Sequence, residues 1–222
     1  MTSVGEVLVI GAGGFGLEVA QYALDAASVG WPFRITGFLD DGVSPGTEVV
    51  PGLEVVGGTD AASLAHQKVL IAIGDSDIRS NIAKRIREVG GQLVTLVHPT
   101  AYIAPTAKIG SGSLICPFAT VSARAVVESN CVLNNYACVG HEAHLGDGSV
   151  LSPYSAILGR SRVGRSCFLG TCAAVGPGVS IGASSKLAAG SIALRDASAG
   201  SMIVGNPAKS RVLFTVAPVE DL

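Results

Sequence analysis

Stepping by six residues from Val97 lands on Val, Ile or Leu every time until Leu187, sixteen stops in sixteen with no insertion. The residue two before each stop is Ala, Ser, Thr or Cys, except at Val179. Directly after the stop Gly appears seven times, at Gly110, Gly140, Gly146, Gly164, Gly170, Gly176 and Gly182. A helix does not repeat at six, and a strand repeats at two. A strict hexad over some ninety residues describes a coil of short strands and turns, a parallel β-helix. The aliphatic fills the interior and the small residue fits where the tube narrows. Gly after the stop suits a turn with unusual dihedrals. Three hexads close a triangular coil, so residues eighteen apart stack at strand spacing, roughly 4.8 Å.

Residues 1–96 read differently. Residues 6–10 are a buried strand, Gly11-Ala-Gly-Gly-Phe-Gly16 follows it, and residues 17–27 have helical spacing. Strand, glycine loop and helix open a nucleotide-binding βα unit, with phosphate approaching the loop backbone and the helix N-terminus. The loop alone also fits an NAD site or a tight turn without ligand. Only about 95 residues precede the hexads, too few for the second half of a dinucleotide fold and a catalytic domain. A second strand, 34–39, ends in Asp40-Asp41, where a carboxylate accepts hydrogen bonds from a ribose or base, or caps a turn. Residues 68–73 form a third strand closing on Gly74, 78–89 a helix, and 92–97 a fourth strand leading through His98-Pro99 into the hexads. The chain thus divides into 1–96, a Rossmann-like nucleotide-binding unit, and 97–222, a β-helix with a C-terminal cap.

Composition excludes several classes. Net charge is −2 with 14% charged residues, so a nucleic-acid surface is not expected. Mean hydropathy is +0.50, yet no run reaches the eighteen or so apolar residues of a membrane span, and the N-terminus lacks the basic start of a signal peptide. The excess apolarity fits the coil interior and a subunit interface. Five cysteines, an odd number without C-x-x-C, point to a reduced cytoplasmic setting, all five as small core residues. No cluster has metal-ligand spacing.

Within the hexads, polar chemistry concentrates at Asn134-Asn135 and Gly140-His141-Glu142. His141 lies off the interior stop, with Ala123 one coil below and Gly159 one coil above. An imidazole there can accept a proton near neutral pH, and the adjacent carboxylate orients it. The amide of Gly159 is placed to donate to a carbonyl becoming an oxyanion. His144 reads as a surface or interface residue, His66 and His98 as structural. After Leu187 the ladder fades into Gly205-Asn-Pro-Ala-Lys209, which serves as an end cap or, through Lys209, as a phosphate contact.

The glycine loop, Gly-Phe-Leu-Asp-Asp at 37–41, Ile-Ala-Ile-Gly at 71–74, His98-Pro99, the unbroken hexads, His141-Glu142 and Gly-Asn-Pro-Ala-Lys together resemble the sialic-acid O-acetyltransferase-like family of hexapeptide acyltransferases. That family includes the nucleotide-sugar N-acetyltransferases of bacillosamine and perosamine synthesis. The resemblance implies a left-handed β-helix, a homotrimer, acetyl-CoA as co-substrate and no metal. It implies acetylation of the 4-amino group of a nucleotide-linked 4-amino-4,6-dideoxyhexose, GDP-perosamine above others, for surface glycans such as O-antigen lipopolysaccharide. His141 would be the base, Glu142 its partner and Gly159 the oxyanion donor. Gly13, Gly14, Phe15, Asp40, Asp41, Gly74 and Asn134 would touch the nucleotide sugar, and Thr171, Ala189 and Lys209 coenzyme A. Many members carry a His where this chain has Val150. Two alternatives stand beside this expectation: O-acetylation of sialic acid or a similar sugar, and a non-catalytic nucleotide-sugar-binding trimeric scaffold.

Overall fold

The computed structural model describes residues 4–216. Its first part is a parallel sheet of β1 (Gly5–Ile10), β2 (Phe33–Leu39), β3 (Glu48–Val50), β4 (Leu53–Gly57), β5 (Lys68–Ile71) and β6 (Gln92–Leu93), in the order β3-β4-β2-β1-β5-β6. The β3–β4 hairpin is the antiparallel edge. The hairpin has no counterpart among the expected elements. The expected strand 92–97 divides: Gln92–Leu93 joins this sheet, and Leu96–Val97 starts the coil. The described residues form three helices, α1 (Gly14–Ser28), α2 (Ala61–Leu64) and α3 (Ser76–Glu88).

Seventeen two-residue strands follow at six-residue steps, β7 (Leu96–Val97) through β23 (Ile192–Ala193). They stack into three parallel sheets, each strand pairing with the residues eighteen positions away, as Val121 does with Val139. The fold is therefore a Rossmann-like unit followed by a left-handed parallel β-helix. Inward-facing stops such as Val127, Leu145 and Val163 are at most 1% exposed and form one continuous core. Cys131 and Cys167 sit inside in the small-residue slot, and Cys116 is buried against the first unit, but Cys138 is half-buried and Cys172 exposed. The last two lie at outward positions of strand and turn, so only three of the five are core residues. The hairpin β24 (Ser201–Gly205) and β25 (Ala208–Val212) closes the upper end of the first sheet.

The unusual turn dihedrals fall two residues after the glycines expected to supply them. Positive φ recurs at every sixth residue from Gly112 to Gly190, mostly at non-glycine residues such as Phe118, Arg124, Tyr136, Glu142 and Arg160. None of the seven glycines after a stop has positive φ. Their reason is proximity: a Cβ on Gly146 would stand 2.5 Å from the amide nitrogen of Arg165, and one on Gly182 2.2 Å from that of Ala199, both one coil up.

We call the sheet starting at β7 face one, that starting at β8 (Tyr102–Ile103) face two and that starting at β9 (Lys108–Ile109) face three. Helix α1 is held between the parallel sheet and face one, where Val19, Tyr22 and Ala23 share a core with Leu114, Val132 and Val150. Helix α3 lies on the corner joining faces three and one. There the buried Arg79 donates from Nε to the Asn130 carbonyl at 2.7 Å, from Nη2 to Gly112 at 2.9 Å and from Nη1 to Ile71. Burial lowers its pKa to about 10, so it stays charged at neutral pH. Beside it Arg87 meets Asp147 at 3.6 Å and Lys186 meets Asp77 at 3.4 Å. His98 does have a structural role, hydrogen-bonding Asp25 at 3.2 Å and Thr100 at 2.8 Å beside Tyr22.

Candidate active site

Where α1 meets face one there is a cavity of about 300 Å³ lined by Gly14, Phe15, Glu18, Gly74, Asn134, Ser152 and the column Val132, Val150, Phe168. The N-terminus of α1 opens onto it. Gly13 caps that helix without a side-chain hydrogen bond, so the first-turn amides are left for an anion. Built Cβ atoms on Gly13 and Gly14 meet nothing within 4 Å, which leaves their backbone open to a ligand. Gly11 and Gly16 serve the turn instead: Gly11 has φ +103, and a Cβ on Gly16 would overlap the Gly11 carbonyl.

Asp40 bridges the loop to the end of β2. Its Oδ2 accepts from the Ala12 amide at 2.8 Å and its Oδ1 from Gly42 at 2.8 Å. Asp41 turns the other way. It accepts from the Thr59 amide at 2.6 Å and hydroxyl at 2.5 Å, and these bonds hold its carboxyl below the usual range. The structure thus gives each carboxylate a protein partner, which a strand-end motif does not disclose. Asn134 lines the cavity, its Oδ1 accepting from the next amide at 2.8 Å. Val150 is 3% exposed and offers no polar atom.

A second cavity, about 380 Å³, continues up face one past Ser152 and Phe168, which line both. Thr171 and Ala189 belong to it, with Lys186 and Met202. Lys209 is elsewhere, exposed on β25, lining a cleft of about 350 Å³ with Arg195 and Asp196.

His141, Glu142 and Gly159 come together on the corner joining faces two and three. His141 Nδ1 is 3.1 Å from Glu142 Oε2. Arg160 Nε reaches the same oxygen at 3.1 Å, and Arg124 Nη2 reaches Oε1 at 3.0 Å. The hydrogen bond from His141 and the two guanidinium groups hold the Glu142 carboxyl below its usual range. With Nδ1–H donating to an ionised carboxylate, Nε2 carries the free lone pair. That nitrogen lies against Gly159: a Cβ built there would be 2.4 Å from it. The Gly159 amide makes no hydrogen bond among the described residues. A proton acceptor and a residue with a free N–H thus stand side by side on an exposed corner, two groups that acyl transfer can use. His144, on face three, pairs with Glu128 at 2.9 Å and takes no part. Hexad counting finds this trio, because eighteen residues equal one coil. It does not find Arg124, Arg160 or Phe168, which a period of six marks only as outward.

Residues 6–86 match the family described as PglD N-terminal domain. The acetyltransferase domain of PglB from Neisseria gonorrhoeae, in complex with acetyl coenzyme A, is 32% identical, covers 92% of this chain and 98% of its own, and superposes with TM-score 0.82. The chain belongs to the hexapeptide-repeat nucleotide-sugar N-acetyltransferase family. Another member of this acetyltransferase family, a mutant perosamine N-acetyltransferase from Caulobacter crescentus in complex with CoA and GDP-perosamine, is 29% identical over 94% of this chain and 97% of its own, with TM-score 0.84. A GDP-perosamine N-acetyltransferase from Escherichia coli O157:H7 is 31% identical over 72 residues. That match spans about a third of either protein, 32% of this chain and 33% of the relative. Among the described residues no helix is long and apolar enough to cross a membrane, and no three His, Cys, Asp or Glu group as for a metal.

Proposed function

We propose that this acetyltransferase-family chain moves acetyl from acetyl-CoA to the 4-amino group of a nucleotide-linked 4-amino-4,6-dideoxyhexose, with GDP-perosamine as the acceptor, for a surface glycan made in the cytoplasm. The observation that carries the reading is His141 Nε2 against Gly159 with Nδ1 on Glu142, on a fold shared over 92–94% of this chain with relatives solved with acetyl-CoA or GDP-perosamine. Residues 1–96 bind the nucleotide, its diphosphate on Gly13, Gly14 and Phe15 at the α1 N-terminus, with Asp40 and Gly74 beside it and Asp41 fixing the loop through Thr59. Residues 97–222 carry the transfer. Asn134 lines the cavity assigned to the amine, and Thr171 and Ala189 line the continuing cavity assigned to the coenzyme A arm. Lys209, in its separate cleft on β25, would meet the coenzyme only where its phosphate end leaves that cavity.

The neutral amine attacks the thioester carbonyl. A C–N bond forms, the carbonyl oxygen takes negative charge facing the Gly159 N–H, and the C–S bond then breaks. His141 Nε2 takes the proton the amine loses and returns it to the departing thiolate. Ion pairing keeps Glu142 anionic throughout, which favours the transient imidazolium.

The cavities lie on face one, and His141 lies on the corner beyond face two. A complete site therefore takes His141 from a second copy, which supports a homotrimer with donor and acceptor between neighbours. Mass spectrometry of GDP-, UDP- and dTDP-linked 4-amino-sugars incubated with acetyl-CoA tests the reading. The GDP-linked sugar gains one acetyl group, and His141→Asn lowers the rate about 10³-fold. Acetylation of no amino sugar, or full turnover in His141→Asn, overturns it.

A further inference from the structure

The three faces of the β-helix differ in what they show outward. The lower coils of face one are covered by the Rossmann-like unit. Face three is charged, with Lys108, His144 and Arg162. Between Tyr102 at its foot and Ile192 at its top, face two presents Thr120, Cys138, Ala156 and Ala174, small, uncharged and partly exposed.

Each corner bounding face two carries a side-chain ladder. On the side of face one stand Phe118, Tyr136 and Tyr154, with ring centroids 4.9 and 4.8 Å apart and planes within 16° and 4° of parallel. These rings are 48%, 47% and 59% exposed, a costly surface to leave in water. On the far side stand Arg124, Glu142 and Arg160, joined at 3.0–3.1 Å. All six occupy the positive-φ slot of their turn. Each aromatic precedes its charged counterpart by six residues, so the two ladders stand on the same coils.

We propose that these two ladders are the two halves of one contact between copies of this chain. The proposal rests on the shared-site reading above. Copies arranged about an axis parallel to the rod keep equal heights. With face two turned to that axis, the aromatic corner of one copy meets the charged corner of the next. Phe118 then faces the partner's Arg124, Tyr154 faces the partner's Arg160, and the Tyr136 hydroxyl reaches the partner's Glu142. Guanidinium groups stack on aromatic faces, and Arg does so better than Lys. The same contact brings the partner's His141 to the Asn134 side of the cavity. The aromatic ladder is thus an interaction surface whose partner is a second copy, and it sets the height at which the imidazole arrives.

Sedimentation velocity of the full chain tests this. Wild type sediments as an oligomer, and Tyr136→Asp/Tyr154→Asp sediments as a monomer with unchanged circular dichroism and no turnover. A milder pair keeps the test open if that variant unfolds. Tyr154→Leu and Arg160→Gln each weaken association roughly two- to fivefold, and the double variant is no weaker than either alone. Additive losses, or an unchanged oligomer in the Asp variant, overturn the ladder contact. Mixing His141→Asn with Gly14→Asp chains separates this from the reading beneath it. Regained activity in the mixture with wild-type assembly in the ladder variants leaves the shared site standing and removes only the ladders. A monomeric, fully active wild type removes both.

Discussion

The ring of His141 rests on the Cα of Gly159, so close that one methyl group at residue 159 would overlap Nε2 at 2.4 Å. Two elements of chemistry separated by eighteen residues are one coil apart, and the upper has no side chain so that the lower can stand beside its amide. Gly159→Ala therefore pushes an exposed ring aside rather than breaking the core. We expect kcat to fall about 10²-fold, with the melting temperature within a few degrees of wild type. Steady-state kinetics and a thermal melt check both halves.

Glu142 should tune the pH response. Its folded carboxyl is held below its usual range, so it stays charged until pH falls through that lowered value, and any stability it contributes is present above the unfolded value and lost below. Across the working range it is an anion beside the imidazole. Glu142→Gln removes that charge, so the acid limb of kcat/KM moves to lower pH while kcat drops. Arg160→Gln removes a cation from the same group and moves the acid limb the other way. Two shifts of the same sign would refute the assignment.

The cysteines should separate cleanly. Burial pushes the Cys116 and Cys131 thiols up to about 12 and Cys167 up to about 11, whereas Cys172 is exposed. In the monomeric Tyr136→Asp/Tyr154→Asp variant, where face two and its corner are free, a thiol reagent at pH 8 should modify Cys172 first and Cys138 more slowly, and the assembled wild type should slow both. The other three should react only on unfolding, and Cys172→Ser should abolish the fast phase.

Arg79 joins the two parts of the chain. Its side chain is fully buried and donates to three carbonyls, from Ile71, Gly112 and Asn130. Arg79→Ala leaves those acceptors unpaired and should cost about 3 kcal/mol in urea unfolding. Arg79→Lys should recover only part, because an ammonium cannot span three acceptors in the guanidinium plane. A loss under about 0.5 kcal/mol would show that the apolar contact of α1 with face one holds the parts together alone.

Much of this was legible in residue order, because a coil makes contacts of fixed separation. Val121 touches Val139, and His141 touches Gly159, by counting alone. The glycine loop and its helix were legible too, since a tight turn demands its own residue types. What counting missed depends on direction or on distant parts of the chain. The positive-φ slot falls on residues as different as Phe118 and Arg124, so no residue type marks it. Arg79 reads as one more charge on a polar helix until Asn130 and Gly112 close over it. Asp41 resembles a ribose ligand until Thr59, eighteen residues later, occupies its carboxylate. The separation of His141 from the cavity is also invisible to a period, which gives height but not which way a corner points.

The lattice of hydrogen bonds between coils has a consequence for how such a rod can change length. The strand amides find their acceptors one full circuit above, as Gly140 finds Ile157 and Gly164 finds Ile181. Excising one whole storey would lower everything overhead and leave every azimuth as it was. Losing a single residue would turn lining side chains outward for the remainder of the tower. Growth and shrinkage are therefore quantised, and an inserted loop is tolerated only if it bulges from a vertex and rejoins in phase.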